Sequence, residues 1–254
     1  DGPGVHPTKT AATTSDGRRW VGTLSGLYAI RDGEPVKLDG DPVRRLLPFG
    51  PDHLLIAGET RILRLSDDAL ALHEPFATSV DAAVSADGRH AALLGLDGGL
   101  VRITLDDPVG WEPLGTPMST AVALGEHGWP IWLGTLDGID RRDRDGTITR
   151  IADTGARVTD LQVSPDGRWL AAADEDQRIW LFDRDETLVA RMRGHSRRVS
   201  TLAFDPTSRW LASGSWDDTV RYWDLSVLDR PADALAADVV TAWGFDAPTG
   251  EVSE

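Results

Sequence analysis

The chain has 254 residues, with 41 Asp and Glu against 26 Lys and Arg, a formal net charge of −15 and no cysteine. So acidic a surface excludes nucleic-acid phosphates and an anionic membrane face as partners. The lack of cysteine excludes structural disulfides and thiolate metal sites. The length accommodates one all-β domain, and no run of 18 apolar residues is present to cross a membrane.

One turn motif punctuates the chain. It reads Ser15-Asp16-Gly17, Pro51-Asp52-His53, Ser85-Ala86-Asp87-Gly88, Gly125-Glu126-His127-Gly128, Ser164-Pro165-Asp166-Gly167 and Asp205-Pro206-Thr207-Ser208, at steps of 36, 35, 40, 39 and 41 residues. Self-similarity near 40 residues signals a β-propeller built blade by blade. The predicted blades span about 5–40, 41–77, 78–116, 117–154, 155–194 and 195–228.

In the first blade Trp20-Val21-Gly22-Thr23 and Leu27-Tyr28-Ala29-Ile30 read as strands. The second offers Leu54-Leu55-Ile56-Ala57-Gly58 and Arg61-Ile62-Leu63-Arg64-Leu65, the third His90-Ala91-Ala92-Leu93-Leu94 and Leu100-Val101-Arg102-Ile103-Thr104-Leu105. The fourth offers Ile131-Trp132-Leu133-Gly134-Thr135 and Gly138-Ile139-Asp140. The fifth and sixth are the clearest. Val158 to Val163 and Val199 to Phe204 alternate as half-buried strands do. Pro and Asp then make the turn. Trp169 to Ala173 and Trp210 to Ser215 follow, then Arg178 to Asp183 and Thr219 to Asp224, rich in strand formers.

The sixth unit also carries Gly194-His195 ahead of its first strand and Trp223-Asp224 closing its third. These marks resemble the WD40-repeat family, over about residues 5–228 and most specifically over 155–225. The resemblance implies a buried hydrogen-bonded row of His195, Ser213, Asp217 and Trp223, in which no donor is left unpaired. The fifth unit keeps Asp176 of that set, but has Ala156, Ala172 and Phe182 elsewhere; the third and fourth keep Asp97 and Asp137. The fold expected is all-β, a WD40-like propeller of six recognisable blades. The family's commonest ring has seven, so a seventh blade, missing on the N-terminal side, is the alternative. Gly4-Val5-His6-Pro7 is placed to contribute to ring closure.

Beyond residue 228 the pattern changes. Asp229-Arg230-Pro231 suits a helix start. Leu235, Val239 and Trp243 recur every fourth residue and Gly244 suits a stop, so 229–254 is predicted as a C-terminal tail with one short helix. The competing reading makes residues 239–245 the first strand of a seventh blade.

Chemistry is sparse. The histidines His6, His53, His73, His90, His127 and His195 lack metal-ligand spacing. Asp140 to Gly146 interleaves carboxylates with arginines, unlike a calcium loop. There is no nucleophile elbow, phosphate loop or dinucleotide fingerprint. Glu175 and Asp81 are expected near the central opening without a base-nucleophile pair. No enzyme, cofactor or metal is predicted.

In the resembled fold, partners bind the circular face formed by the turns between second and third strands and by the start of each first strand; loops on a rigid scaffold carry function. This places Arg157, Thr159 and Glu175 there from the fifth blade, and Arg197, Arg198, Ser200 and Trp216 from the sixth. Arg44, Asp81, Leu96 and Leu136 are assigned there from the second, third and fourth. Trp216, with Arg198 beside it, is the expected hot spot; Trp180 is expected to pack between blades. The function expected is a non-catalytic protein-interaction scaffold or sensor in the cytoplasm. The start at Asp1 without Met, and a composition rich in Ala, Arg, Asp and Gly, suggest part of a larger bacterial signalling or defence protein. A TolB-like or hydrolytic periplasmic propeller and a small-molecule sensor using the central channel are the alternatives.

Overall fold

The computed structural model describes residues 10–58, 61–64, 69–72, 78–105, 110–115 and 118–229. Five antiparallel four-stranded sheets follow one another along the chain at 10–39, 43–72, 79–113, 121–153 and 158–193, each a meander of consecutive strands. A sixth sheet, 199–224, has three strands, and the 3-10 helix Leu225–Asp229 follows it. The architecture is thus an all-β propeller with almost no helix. It corrects the expectation of six like blades with a possible seventh: five blades are complete, and the last repeat lacks an outer strand among the described residues. The predicted tail helix, the alternative strand at 239–245, and Gly4 to Pro7 lie outside the described residues.

The turn motif works through one local device. In the first, third and fifth blades a hydroxyl two residues before the Asp donates to its carboxylate: Thr14 to Asp16 at 2.5 Å, Ser85 to Asp87 at 2.5 Å and Ser164 to Asp166 at 2.6 Å. The same carboxylate accepts the amide two residues on, from Arg18, Arg89 and Arg168. An Asx turn of this kind is written into a few consecutive residues, which is why the period is visible in the sequence.

Apolar clusters lie between consecutive sheets. Trp20, Leu27, Leu46 and Ile56 join the first two blades, and Phe49, Leu55, Leu93 and Ile103 the next two. Leu94, Leu100, Leu124 and Leu133 join the third and fourth. Ala123 and Ile139 of the fourth blade meet Leu161 and Trp180 of the fifth, so Trp180 packs between blades as expected. Leu181, Leu202 and Leu211 join the fifth blade to the three-stranded sheet. The inner strands therefore stand side by side around an axis, in chain order, with their starts on one face.

Candidate binding face

Among the described residues the turns between second and third strands open on one face, and in four sheets the turn carries a large apolar residue where a solvated turn would be polar, while the fifth blade has Glu175 there. Leu96 is 72% exposed, Leu136 61% and Trp216 53%; Leu24 in the first blade is also exposed. Backbone hydrogen bonds impose this. The amides of Leu96, Glu175 and Trp216 donate to the carbonyls of Thr78, Arg157 and Arg198, just ahead of the inner strand of the same sheet, at 2.9, 3.0 and 3.1 Å. With the backbone clamped inward, the side chains project into solvent.

A second device shapes the mouth of the axis. The inner strands carry a register shift at one residue in four sheets: Val80, between Ser79 and Asp81; Arg44, between Val43 and Arg45; Thr159, between Val158 and Asp160; and Ser200, between Val199 and Thr201. A β-bulge re-aims a side chain, and Arg44, Val80 and Thr159 line an open basin of about 630 Å³. Arg157, Arg198 and the exposed Met118 complete much of its wall.

Arg198 stacks on the Trp216 ring at 4.1 Å from its centroid and lies 3.5 Å from Glu175. Arg197 donates to the Trp216 carbonyl at 3.1 Å. Of the residues expected on this face, Arg44, Arg157, Glu175, Arg197, Arg198 and Trp216 are there. Thr159 and Ser200 sit at its inner margin with their hydroxyls committed to carbonyls, Thr159 to Val199 at 2.6 Å and Ser200 to Gly214 at 3.2 Å.

Asp81 is a correction. It lies one residue beyond the bulge, inside the axis, where it is 8% exposed and ion-paired with Arg45. Arg45 also reaches Asp160 of the fifth blade at 3.5 Å, crossing the axis. Each Asp has a second task. Asp81 accepts the amide of Val122 at 2.8 Å and Asp160 that of Leu202 at 2.7 Å, each in the neighbouring sheet. Thr10 does the same for Leu46 at 3.2 Å. Burial pushes the Asp160 carboxyl up, against the pull of Arg45. Burial would also lower the Arg45 guanidinium, but Asp81 and Asp160 outweigh it and raise it further. Below this group lies a separate cavity of about 310 Å³, walled by Leu47, Ala83, Leu124 and Val163 among others. The sequence reading missed Arg45; the available signal was a charged residue at an inner-strand position where the third and fifth blades carry Asp.

The turn bearing Trp216 is held by the hydrogen-bonded row. His195 Nδ1 lies 2.9 Å from Asp217 and its Nε2 2.8 Å from Ser213, while Trp223 Nε1 donates to Ser213 at 2.9 Å. The ionised Asp217 carboxylate can only accept, so Nδ1 carries the proton toward it, and in the neutral ring Nε2 accepts from the Ser213 hydroxyl, which in turn accepts from the indole. The Thr219 hydroxyl foremost, then the Ser196 amide and His195, hold the Asp217 carboxyl well below the usual range against a desolvation cost. The fifth blade solves the same problem differently. Asp174, fully buried, accepts from Trp180 Nε1 and Arg178 Nε, both at 2.9 Å.

On the opposite face His90 and His127, from adjacent blades, both approach Asp87, at 3.4 and 3.2 Å. Among the described residues no group of three or more His, Asp or Glu is arranged to hold a metal ion, and no helix is long and apolar enough to cross a membrane.

Residues 146–183 and 186–224 match the family model described as WD domain, G-beta repeat. No curated protein matches the chain significantly.

Proposed function

The chain is a WD40-repeat β-propeller, and we propose that it works as a protein-interaction scaffold whose partner binds the face of Leu24, Leu96, Leu136 and Trp216. The observation that carries this is the repetition of exposed apolar side chains at one turn position in four sheets, around a basin rimmed by arginines. Leu96, Met118 and Leu136 line one basin, and exposed apolar side chains gathered within a polar rim mark a contact surface; Trp and Arg dominate binding energy where they meet. On a chain of net charge −15, Arg44, Arg157, Arg197 and Arg198 gather on this one face, with Asp97 and Glu175 among them. The partner it fits presents an apolar segment flanked by carboxylates.

We propose binding without chemistry, a reading supported by the family resemblance and by the pairing of Arg198 with Glu175 on this face. Arg45 interrupts the axis that an elongated small-molecule pocket would need. The wider setting we propose, a recognition domain of a larger bacterial signalling or defence protein in the cytoplasm, draws on the family resemblance and composition. Capture from a source lysate tests the interaction. A protein retained by the parent and by His127→Ala, on the opposite face, but lost with Trp216→Ala plus Leu96→Ser is expected. Equal capture by all three defeats the proposal.

A further inference from the structure

On the face opposite Trp216, an open groove of about 430 Å³ lies between the fourth and fifth blades. Three tryptophans line it. Trp129 comes from the first turn of the fourth blade, Trp132 from the second strand of that blade, and Trp169 from the end of the first turn of the fifth. Arg102 and Arg168 lie over the Trp129 and Trp169 rings, 5.5 and 4.4 Å from their centroids, and hold them in place.

One strained residue completes the wall. Asp143-Arg144-Asp145-Gly146-Thr147 and Asp183-Arg184-Asp185-Glu186-Thr187 form the same turn in consecutive blades. In each, the amide of the first residue donates to the carbonyl of the fifth, and the amide of the fourth to the carbonyl of the first, at 2.9 to 3.0 Å. The fourth position takes a positive φ, 92° at Gly146 and 61° at Glu186. Glycine adopts this conformation freely and Glu does not, so strain kept at a Glu points to a use for its carboxylate. That carboxylate crosses to the fourth blade, where it accepts from Trp132 Nε1 at 2.9 Å and lies 3.5 Å from Arg141. Trp132 and Arg141 are cross-strand partners, so one side chain fixes both.

The hydrogen-bonding groups of the groove select an occupant. Most of its carboxylates are committed: Glu186 to Trp132 and Arg141, Asp166 to Ser164 and the Arg168 amide, Asp183 to the amides of Asp185 and Thr187. The indole N–H groups of Trp129 and Trp169 have no acceptor among the described residues. What remains open is apolar surface with donors and few acceptors. A saccharide or an ordinary peptide brings hydroxyl or amide donors that would go unpaired there. A proline-rich segment brings apolar rings and carbonyls without amide donors, and its polyproline II form docks on aromatic walls with little loss of entropy. Two exposed charges have no partner among the described residues, Glu126 on the side of the fourth blade and Arg184 on that of the fifth. We propose that this groove is a second binding site. It takes a proline-rich segment in polyproline II form, with a basic residue on one flank for Glu126 and an acidic one on the other for Arg184, and Glu186 is its positioning residue.

A display library of Pro-x-x-Pro peptides with randomised flanks, panned on the 254-residue chain, tests it, with the affinities of enriched peptides read by fluorescence anisotropy. Peptides basic on one flank and acidic on the other are expected to enrich. Glu186→Gly, which suits the turn, is expected to weaken them at least about fivefold with an unchanged far-UV circular dichroism spectrum, and Trp129→Ala to do the same. Arg184→Glu is expected to turn the selected acidic flank basic, which a purely structural role would not do. A library that yields no enrichment, or affinities unmoved by Glu186→Gly or by Trp129→Ala, overturns the proposal. So does loss of the peptides with Trp216→Ala plus Leu96→Ser, which assigns them to the other face. Binding to a glycan array that Trp129→Ala abolishes, without enrichment of proline peptides, overturns it in favour of a saccharide.

Discussion

Replacing Arg45 with Met probes the group that crosses the axis. Met keeps the aliphatic stem and removes the charge that Asp81 and Asp160 share. Breaking a buried ion pair by deleting one partner costs about 3–5 kcal/mol. Two features reduce this. The Arg45 side chain is 22% exposed, and each carboxylate keeps a backbone donor, from Val122 or Leu202. About 2–4 kcal/mol at neutral pH remains, equivalent to a fall of about 5–15 °C in Tm for a chain of this size. Adding Asp81→Asn and Asp160→Asn removes both orphaned charges while leaving an amide oxygen for each donor, and is expected to restore at least half the loss. The pH dependence has a fixed sign. Burial raises the Asp160 carboxyl, so the penalty for its charge is absent below its unfolded range and grows as pH rises through the folded value. The Arg45→Met deficit is therefore larger at pH 7.5 than at pH 5. Urea and thermal unfolding, followed by tryptophan fluorescence, measure all of this. A deficit under about 0.5 kcal/mol, or one that the two Asn replacements do not relieve, would refute the reasoning.

Other outcomes follow from single groups. Ser213→Ala leaves the Trp223 indole and His195 Nε2 without a partner and is expected to cost about 1–3 kcal/mol, read by urea unfolding; an unchanged midpoint removes the row from the account. Asp217→Ala should lower Tm as well and loosen the 215–219 turn, seen as faster amide exchange there. Asp16, Asp87 and Asp224 are held at about 2, the first by the Thr14 hydroxyl foremost, the last by Arg209; in Asp87 burial opposes, and Ser85, Arg89 and two imidazoles outweigh it. Depressed values stabilise the fold above the usual carboxylate range and are lost as pH falls toward 2, so Tm should drop between about pH 4 and 2; a flat profile would contradict these turns. Trp216→Ala, at a half-exposed position, should leave Tm nearly unchanged while weakening a captured partner by more than about 1 kcal/mol by calorimetry.

What the sequence made legible was local. Ser85 and Asp87, or Ser164 and Asp166, find each other two residues apart, so the period and the propeller could be read directly. The row of His195, Ser213, Asp217 and Trp223 lies within one repeat, and the family pattern pointed to it. Arg45 and Asp160 are 115 residues apart and meet only because the ring folds the second blade opposite the fifth. Asp81, expected near the central opening, was also assigned to the partner-binding face, for a related reason. A bulge at Val80 separates face from axis by one residue, and spacing alone does not reveal a bulge. The completeness of the last blade was equally hidden, because strand pattern does not report whether a face is covered, as Val220 and Tyr222 show.

The most direct test of the interaction face is a hydrogen-exchange footprint of a captured partner on the propeller. Slowed exchange at 23–26, 95–98, 135–138 and 215–219 is predicted. Slowing confined to the opposite turns, 85–90, 125–130 and 164–169, or to the outer strands, would contradict it.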